Sequence, residues 1–230
     1  MNGYENLVAT LALTMGSSWA SGINLYAALL ILGLGGATGN ITLPHELAVL
    51  ENPFIIGAAG VMYLVQFFAD KIPGVDSISD ALQTFVRIPA GVMLAAGAVG
   101  DVSPALEIAA GILGGGAAAT SHAAKTGTRL MINTSPEPVS NWTASISEDL
   151  MVVGGLWTAL NHPILFLILF VIFIGLAIWL LPKLWRLIRG LLVKTAQFLR
   201  IMSPPAAAEA ASSREDGKSP RHPPESSDGY

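Results

Sequence analysis

The chain has 230 residues, 52% hydrophobic and 12% charged, with a mean hydropathy of +0.58, and its apolar residues fall in blocks of membrane-spanning length. That excludes a soluble globular domain and describes an all-α integral membrane protein, a polytopic bundle of five to seven spans. The formal charge of -4 decides little, because the placement of Lys and Arg orients a membrane protein, while the absence of cysteine excludes disulfides, thiolate metal sites and thiol nucleophiles.

The opening MNGYEN lacks the cationic start and small-residue cleavage site of a signal peptide, so the first hydrophobic segment is expected to stay in the protein. That segment, residues 6–37, exceeds the roughly 20 residues a crossing needs. It holds MGSSWASGIN (15–24), rich in Gly, Ser and Asn. A tilted helix, a tight hairpin, two half-helices meeting at this cluster, and plain close packing of small residues all fit. A helix broken at membrane depth survives only where protein or a cavity satisfies its freed backbone groups.

Residues 53–72 form the next candidate, opened by Pro53 at a first helical turn. In 79–99, Asp80, Gln83, Thr84 and Arg87 share a helical stripe that continues into Gly91, Ala95 and Ala98, with Pro89 a point where a kink frees a carbonyl. The block 104–133 reverses the order: Gly111, Gly115 and Ala118 lead into His122, Lys125, Thr126, Arg129 and Asn133. The short turn GDVSP makes these two segments antiparallel neighbours, so their charged ends meet at one membrane face. Asp70, Lys71 and Asp76 of the preceding loop can approach, as can Glu148 and Asp149 of the span 141–160. The clearest span is 162–182, which opens at Pro163.

Lys183, Arg186, Arg189, Lys194 and Arg200 follow that span closely and place its flank in the cytoplasm. Residues 183–201 read as a basic amphipathic juxtamembrane helix or as a continuation of the last span, and 202–230 as a disordered tail. The transmembrane domain is therefore 1–182. Its small-residue blocks and proline-opened spans suggest repeat halves, 6–73 and 104–183, joined by the helix 79–99, with broken or re-entrant Gly-rich helices; chance similarity of Gly/Ala-rich segments is the rival reading.

An ionisable side chain inside a bilayer is costly unless paired, which makes Asp80, Arg87, His122, Lys125 and Arg129 the candidate substrate-binding residues. Ion pairs that only fix packing, or snorkelling of Lys125 and Arg129 to the headgroups, are the alternatives. Cations outnumber acids on these two helices, which favours an anionic solute or lipid phosphate, with His122 or the carboxylates handling protons. No catalytic residue is assigned: Ser121 and Lys125 stand one turn apart without an oxyanion donor or third group, so an enzyme is the weaker reading. His45, His122 and His162 form no metal-ligand array, GILGGG lacks the Lys and Ser/Thr of a phosphate loop, and NIT, NTS and NWT are short sequon matches. Neither metal nor cofactor is expected. The partners expected are the bilayer and a small anion or headgroup, not nucleic acid, with homo-oligomerisation left open.

In GINLYAALLILGL, FADKIPGVDSISDALQTFVRIPAG and HAAKTGTRLMINTSPEPVSN the chain resembles DUF4126, a bacterial membrane-protein family without an assigned activity, over roughly residues 6–190. The most specific segment is DKIPGVDS with Asp80 and Arg87; the last span matches in hydropathy more than in residues. The resemblance implies a multi-pass protein of the bacterial inner membrane. The function expected is a small transporter or channel-like protein, or alternatively a non-transporting scaffold that recruits a partner through its basic helix and tail.

Overall fold

The computed structural model describes residues 3–72, 75–100, 102–133 and 138–202. Its elements are α1 (Gly3–Ala37), a 3-10 helix (His45–Glu51), α2 (Pro53–Ala69), α3 (Val75–Val99), α4 (Pro104–Ile132), α5 (Pro138–Asn161) and α6 (Pro163–Met202), with no strand among the described residues. The chain divides into two compact units, Met1–Ile188 and Arg189–Tyr230. Everything below concerns the first. The backbone of the expected basic helix is helical to Met202, but its side chains from 191 onward, and the tail expected beyond it, lie outside the described residues.

Local chemistry sets the helix starts. Asn52 caps α2 by accepting from the Phe54 N–H at 2.9 Å, and Pro53 fills a first-turn position where no N–H is needed. Ser103 does the same for α4, accepting from the Leu106 N–H at 3.3 Å ahead of Pro104. Between α3 and α4 the chain turns at Gly100, whose φ of 67° suits a residue without Cβ. The two helices then run antiparallel and share the most extensive helix interface of the bundle.

The bundle is apolar outside and ionic inside. Arg87 is 0% exposed and Arg129 1%, whereas Phe85 on α3 is 81% and Ile112 on α4 71% exposed. Water would penalise both choices, and hydrocarbon favours both. Three helical stretches, Gly3–Ala37, Ile78–Val99 and Pro163–Arg186, are long and apolar enough to cross a membrane, and the 3-10 helix with α2, bent by 66°, makes a fourth candidate. The hydropathy of α4 and α5 is diluted by Gly, Ser and charges, many of which they turn inward, while Ile108, Leu113, Leu150 and Trp157 face out.

Helix α1 is not straight. Asn24 sits at φ -146°, ψ 94°, outside helical geometry, so two arms meet there at an elbow. A straight helix would hold Thr10 and Gly35 about 37 Å apart. Instead Ala9, Thr10 and Leu13 of the first arm line one cavity together with Ile31 and Gly35 of the second. Leu13 and Leu32 likewise share a cluster with Leu94 and Ala98 at the end of α3. Both arms thus run from the elbow toward one end of the bundle. Of the readings open for the first segment, the structure combines two: half-helices that meet at the small-residue cluster and fold back as a hairpin.

Helices α2 to α6 run end to end in alternation, as their neighbours show: Leu50 near Gly33 and Asp70 near Lys125 at the two ends of α2, Phe166 on Ala12 and Leu184 beside Gly127 along α6. Pro53 and Pro163 do open α2 and α6. The Gly-rich block of α4 stays continuous, so the break in α1 has no counterpart there.

Small residues make the close approach possible. A Cβ on Gly22 would collide with the Ser121 hydroxyl and the Ala118 carbonyl, and one on Gly114 with Ala95. We therefore expect Gly22→Ala to lower the thermal stability of the detergent-solubilised protein, by about 1–3 kcal/mol. Gly116→Ala, where the added methyl meets nothing within 4 Å, should leave it unchanged or slightly raised; fluorescence-detected thermal unfolding distinguishes the two.

Candidate functional site

A break in a buried helix frees carbonyls at the end of one arm and N–H groups at the start of the next. Here both sets find partners from other helices. Trp19 O accepts from Ser121 Oγ at 2.9 Å, Gly22 O from Arg87 Nη1 at 3.5 Å, and Ile23 O from Lys125 Nζ at 3.2 Å. Two cations thus meet the negative end of the first arm's dipole. On the other side Asn24 Oδ1 accepts from the Ala27 N–H at 3.1 Å and caps the second arm. The Asn24 amide then donates to Asp149 Oδ1 at 2.8 Å, and the Tyr63 hydroxyl donates to Asp149 Oδ2 at 3.0 Å.

The cations have their own requirement, met by three carboxylates. Arg87 pairs with Asp80 at 3.1 Å, and Lys125 reaches Glu148 at 3.2 Å, Asp70 at 3.4 Å and Asp80 at 3.5 Å. Arg129 clamps Glu148 with two bonds of 2.8 Å and donates to the carbonyls of Asp70 and Asn141. All six groups are buried. Arg87 lies midway along α3, while Arg129 lies one turn from the end of α4, so the network extends from the middle of the bundle to its Asp70 end.

His122 bridges the network to α3. Its Nδ1 lies 3.3 Å from Arg87 Nη1 and its Nε2 2.6 Å from Thr84 Oγ1. A guanidinium can only donate, so where Nδ1 accepts from Arg87 it is Nε2 that carries the hydrogen directed at Thr84. The Thr84 hydroxyl donates to the Asp80 carbonyl at 3.0 Å, and Arg87 also donates to Gln83 Oε1.

The structure therefore brings Asp80, Arg87, His122, Lys125 and Arg129 together. It adds Asp70 and Glu148, anticipated as neighbours, while the Asp76 side chain lies outside the described residues. Lys71 lies over the Phe67 ring at 2.8 Å and donates to the Phe67 carbonyl at 3.0 Å; burial pushes its ammonium below the usual lysine value, against the pull of Asp149 and Asp70. Ser121 spends its hydroxyl on backbone carbonyls and Lys125 on carboxylates, so the two do not form a nucleophile pair. Among the described residues no cluster of His, Asp and Glu has the form of a metal site. The helix break falls at Asn24, whereas α3 stays continuous through Pro89.

Sequence reasoning placed Asn24 in the cluster where α1 could break but gave no part to Tyr63 and Gln66. A signal for α2 was present: Tyr63, Gln66 and Asp70 follow helical spacing and form its one polar stripe. Gln66 Nε2 lies 3.4 Å from Asp70 Oδ2 and steadies that carboxylate.

The fold and site define a polytopic helical membrane protein built around a buried, charge-balanced ion network at a broken helix. A family model described as "Domain of unknown function (DUF4126)" matches residues 11–183, and the chain belongs to that family. The elbow and all six network charges lie within the match. No curated protein and no solved structure matches the chain.

Breaking one side of a buried pair leaves an uncompensated charge. Arg129→Met should destabilise the protein by about 3–5 kcal/mol. Arg129→Met combined with Glu148→Leu should recover most of that loss, because Lys125 keeps Asp70 and Asp80. Thermal unfolding of the two single variants and the double variant in detergent gives the coupling; additive losses would contradict the network.

Proposed function

We propose that this chain is a small transporter or channel-like membrane protein whose working part is the α1 elbow. The observation that carries the reading is an open cavity directly above the break. It measures about 980 Å³, lies between the two arms and α5, and presents Thr10, Asn40, Thr42, Trp157 and Asn161 among its lining. Between this vestibule and Asn24 stands one apolar layer, Ala20, Ile23, Ala27, Ala28, Val152 and Leu156. A route across the bundle would be closed at that layer and opened by a small movement of the elbow.

The solute class follows from charge. The anionic solute or lipid phosphate expected from sequence rests on the cation surplus of the segments 79–99 and 104–133. Asp70 and Glu148, from elsewhere in the chain, cancel that surplus to three cations against three carboxylates. Among the described residues no charged side chain lines the vestibule. A small polar solute without net charge suits both features better. On this reading Asp80, Arg87, His122, Lys125 and Arg129 hold the elbow and do not touch the solute.

Orientation rests on the cations. Residues 1–70, 88–124 and 130–182 contain no Lys or Arg. The vestibule end thus carries acids without cations, and the positive-inside rule puts it outside, with Lys183, Arg186 and the C-terminal region in the cytoplasm. The protein then crosses five times, by α2 to α6, and α1 enters as a hairpin from the outer face. The bacterial inner membrane is the location the family resemblance implies.

A scaffold role is the second reading, favoured by the complete internal pairing of the network. Osmotic swelling of proteoliposomes separates the two, using urea, glycerol, alanine, a hexose and phosphate as probes. Wild type should admit at least one uncharged solute faster than protein-free vesicles. Because the chain has no native cysteine, Thr42→Cys labelled with a bulky maleimide should return that flux to background. Failure of every probe, with Arg87→Ala affecting only thermal stability, would favour the scaffold.

A further inference from the structure

Asp149 differs from every other carboxylate of the bundle interior. It lies midway along α5 and is only part-buried, yet it enters none of the ion pairs found among the described residues. Its two contacts are neutral donors, the Asn24 amide at 2.8 Å and the Tyr63 hydroxyl at 3.0 Å. An ionised carboxylate in mid-membrane costs several kcal/mol without a cation, and a proton removes that cost.

The groups around it leave this need unmet. From the end of α2, Lys71 attracts Asp149 but is committed to the Phe67 carbonyl and to the Phe67 and Trp142 rings. Beside it on α5, Glu148 is held by Lys125 and Arg129 of α4. From α2 itself comes Tyr63. From α1 comes the uncharged Asn24.

We propose that Asp149 is a proton-binding site whose occupancy controls the α1 elbow. As a carboxylate it accepts on both oxygens, fixing Asn24 and offering negative charge to the positive end of the second arm. When hydronium gives a proton to Oδ2, that oxygen becomes a donor and water is released. Tyr63 must then rotate its hydroxyl and accept where it had donated, the bond changes from charge-assisted to neutral, and the charge at the arm's start is gone. The link between α2, α5 and the elbow loosens. Combined with the transport reading on which its functional meaning rests, this makes the proton the coupling ion; the binding site itself is tested without measuring flux.

The chain's lack of cysteine allows single reporters. Ala27→Cys places one in the first turn of the second arm, and exposed Thr38→Cys serves as the reference for the intrinsic pH dependence of the thiol. The measurement is the ratio of their N-ethylmaleimide labelling rates in solubilised full-length protein. In the wild-type background the ratio should rise roughly tenfold as the pH is lowered and the proton binds. Asp149→Asn, which mimics the protonated acid, should give the high ratio at every pH. Tyr63→Phe removes a bond to the charged form and should move the midpoint of the ratio to higher pH. A flat wild-type ratio, or an unchanged pH dependence in Asp149→Asn, overturns the proposal and leaves the flux prediction standing. Should Asp149→Asn not fold, an unmoved midpoint in Tyr63→Phe overturns it equally. A pH-dependent ratio without solute flux would instead remove transport and keep the proton site.

Discussion

The fold depends on satisfying a helix that breaks inside a membrane. Hydrocarbon offers nothing to free carbonyls, so the end of the first α1 arm must be met by protein donors, and Arg87 and Lys125 supply two of them. Those donors are themselves charged and need carboxylates. Asp70, Asp80 and Glu148 come from three separate parts of the chain, which ties α2, α3, α4 and α5 to a single point. One irregular residue thus recruits most of the ionic interior.

The same arrangement separates rigid from movable parts. Below the elbow the network is charge-balanced and multiply bonded, and it cannot yield at one pair without exposing another. Above it the layer of Ala20, Ile23, Ala27, Ala28, Val152 and Leu156 is held by packing alone. Small apolar side chains slide at lower cost than ion pairs separate. Asp149 lies at the boundary, bonded to the elbow but outside the ion pairs found among the described residues.

Much of this was legible from residue spacing. The stripes Asp80 to Ala98 and Gly111 to Arg129 both turn inward, because helical period and the cost of charge in lipid leave no other choice. Their antiparallel meeting follows from a turn too short to permit another arrangement. The electrostatic sum was not legible. Counting charges on two helices gave a cation excess, and the excess vanishes only when Asp70 and Glu148 arrive from elements whose orientation spacing cannot fix. The polar stripe of Tyr63, Gln66 and Asp70 on α2 was readable, but its partner across the bundle was not.

By itself the sequence determined that this is an all-helical membrane protein with an inward ionic seam, since hydropathy, helical period and the energetics of buried charge act locally. It also marked MGSSWASGIN as the place where a long helix could yield. Only the tertiary structure decided that the break falls at Asn24, that both arms return to the same end, and that Asp149 takes its two hydrogen bonds from neutral donors. Those outcomes turn on which freed carbonyl meets which side chain from a residue often a hundred positions away, and such long-range pairings leave no period in the chain.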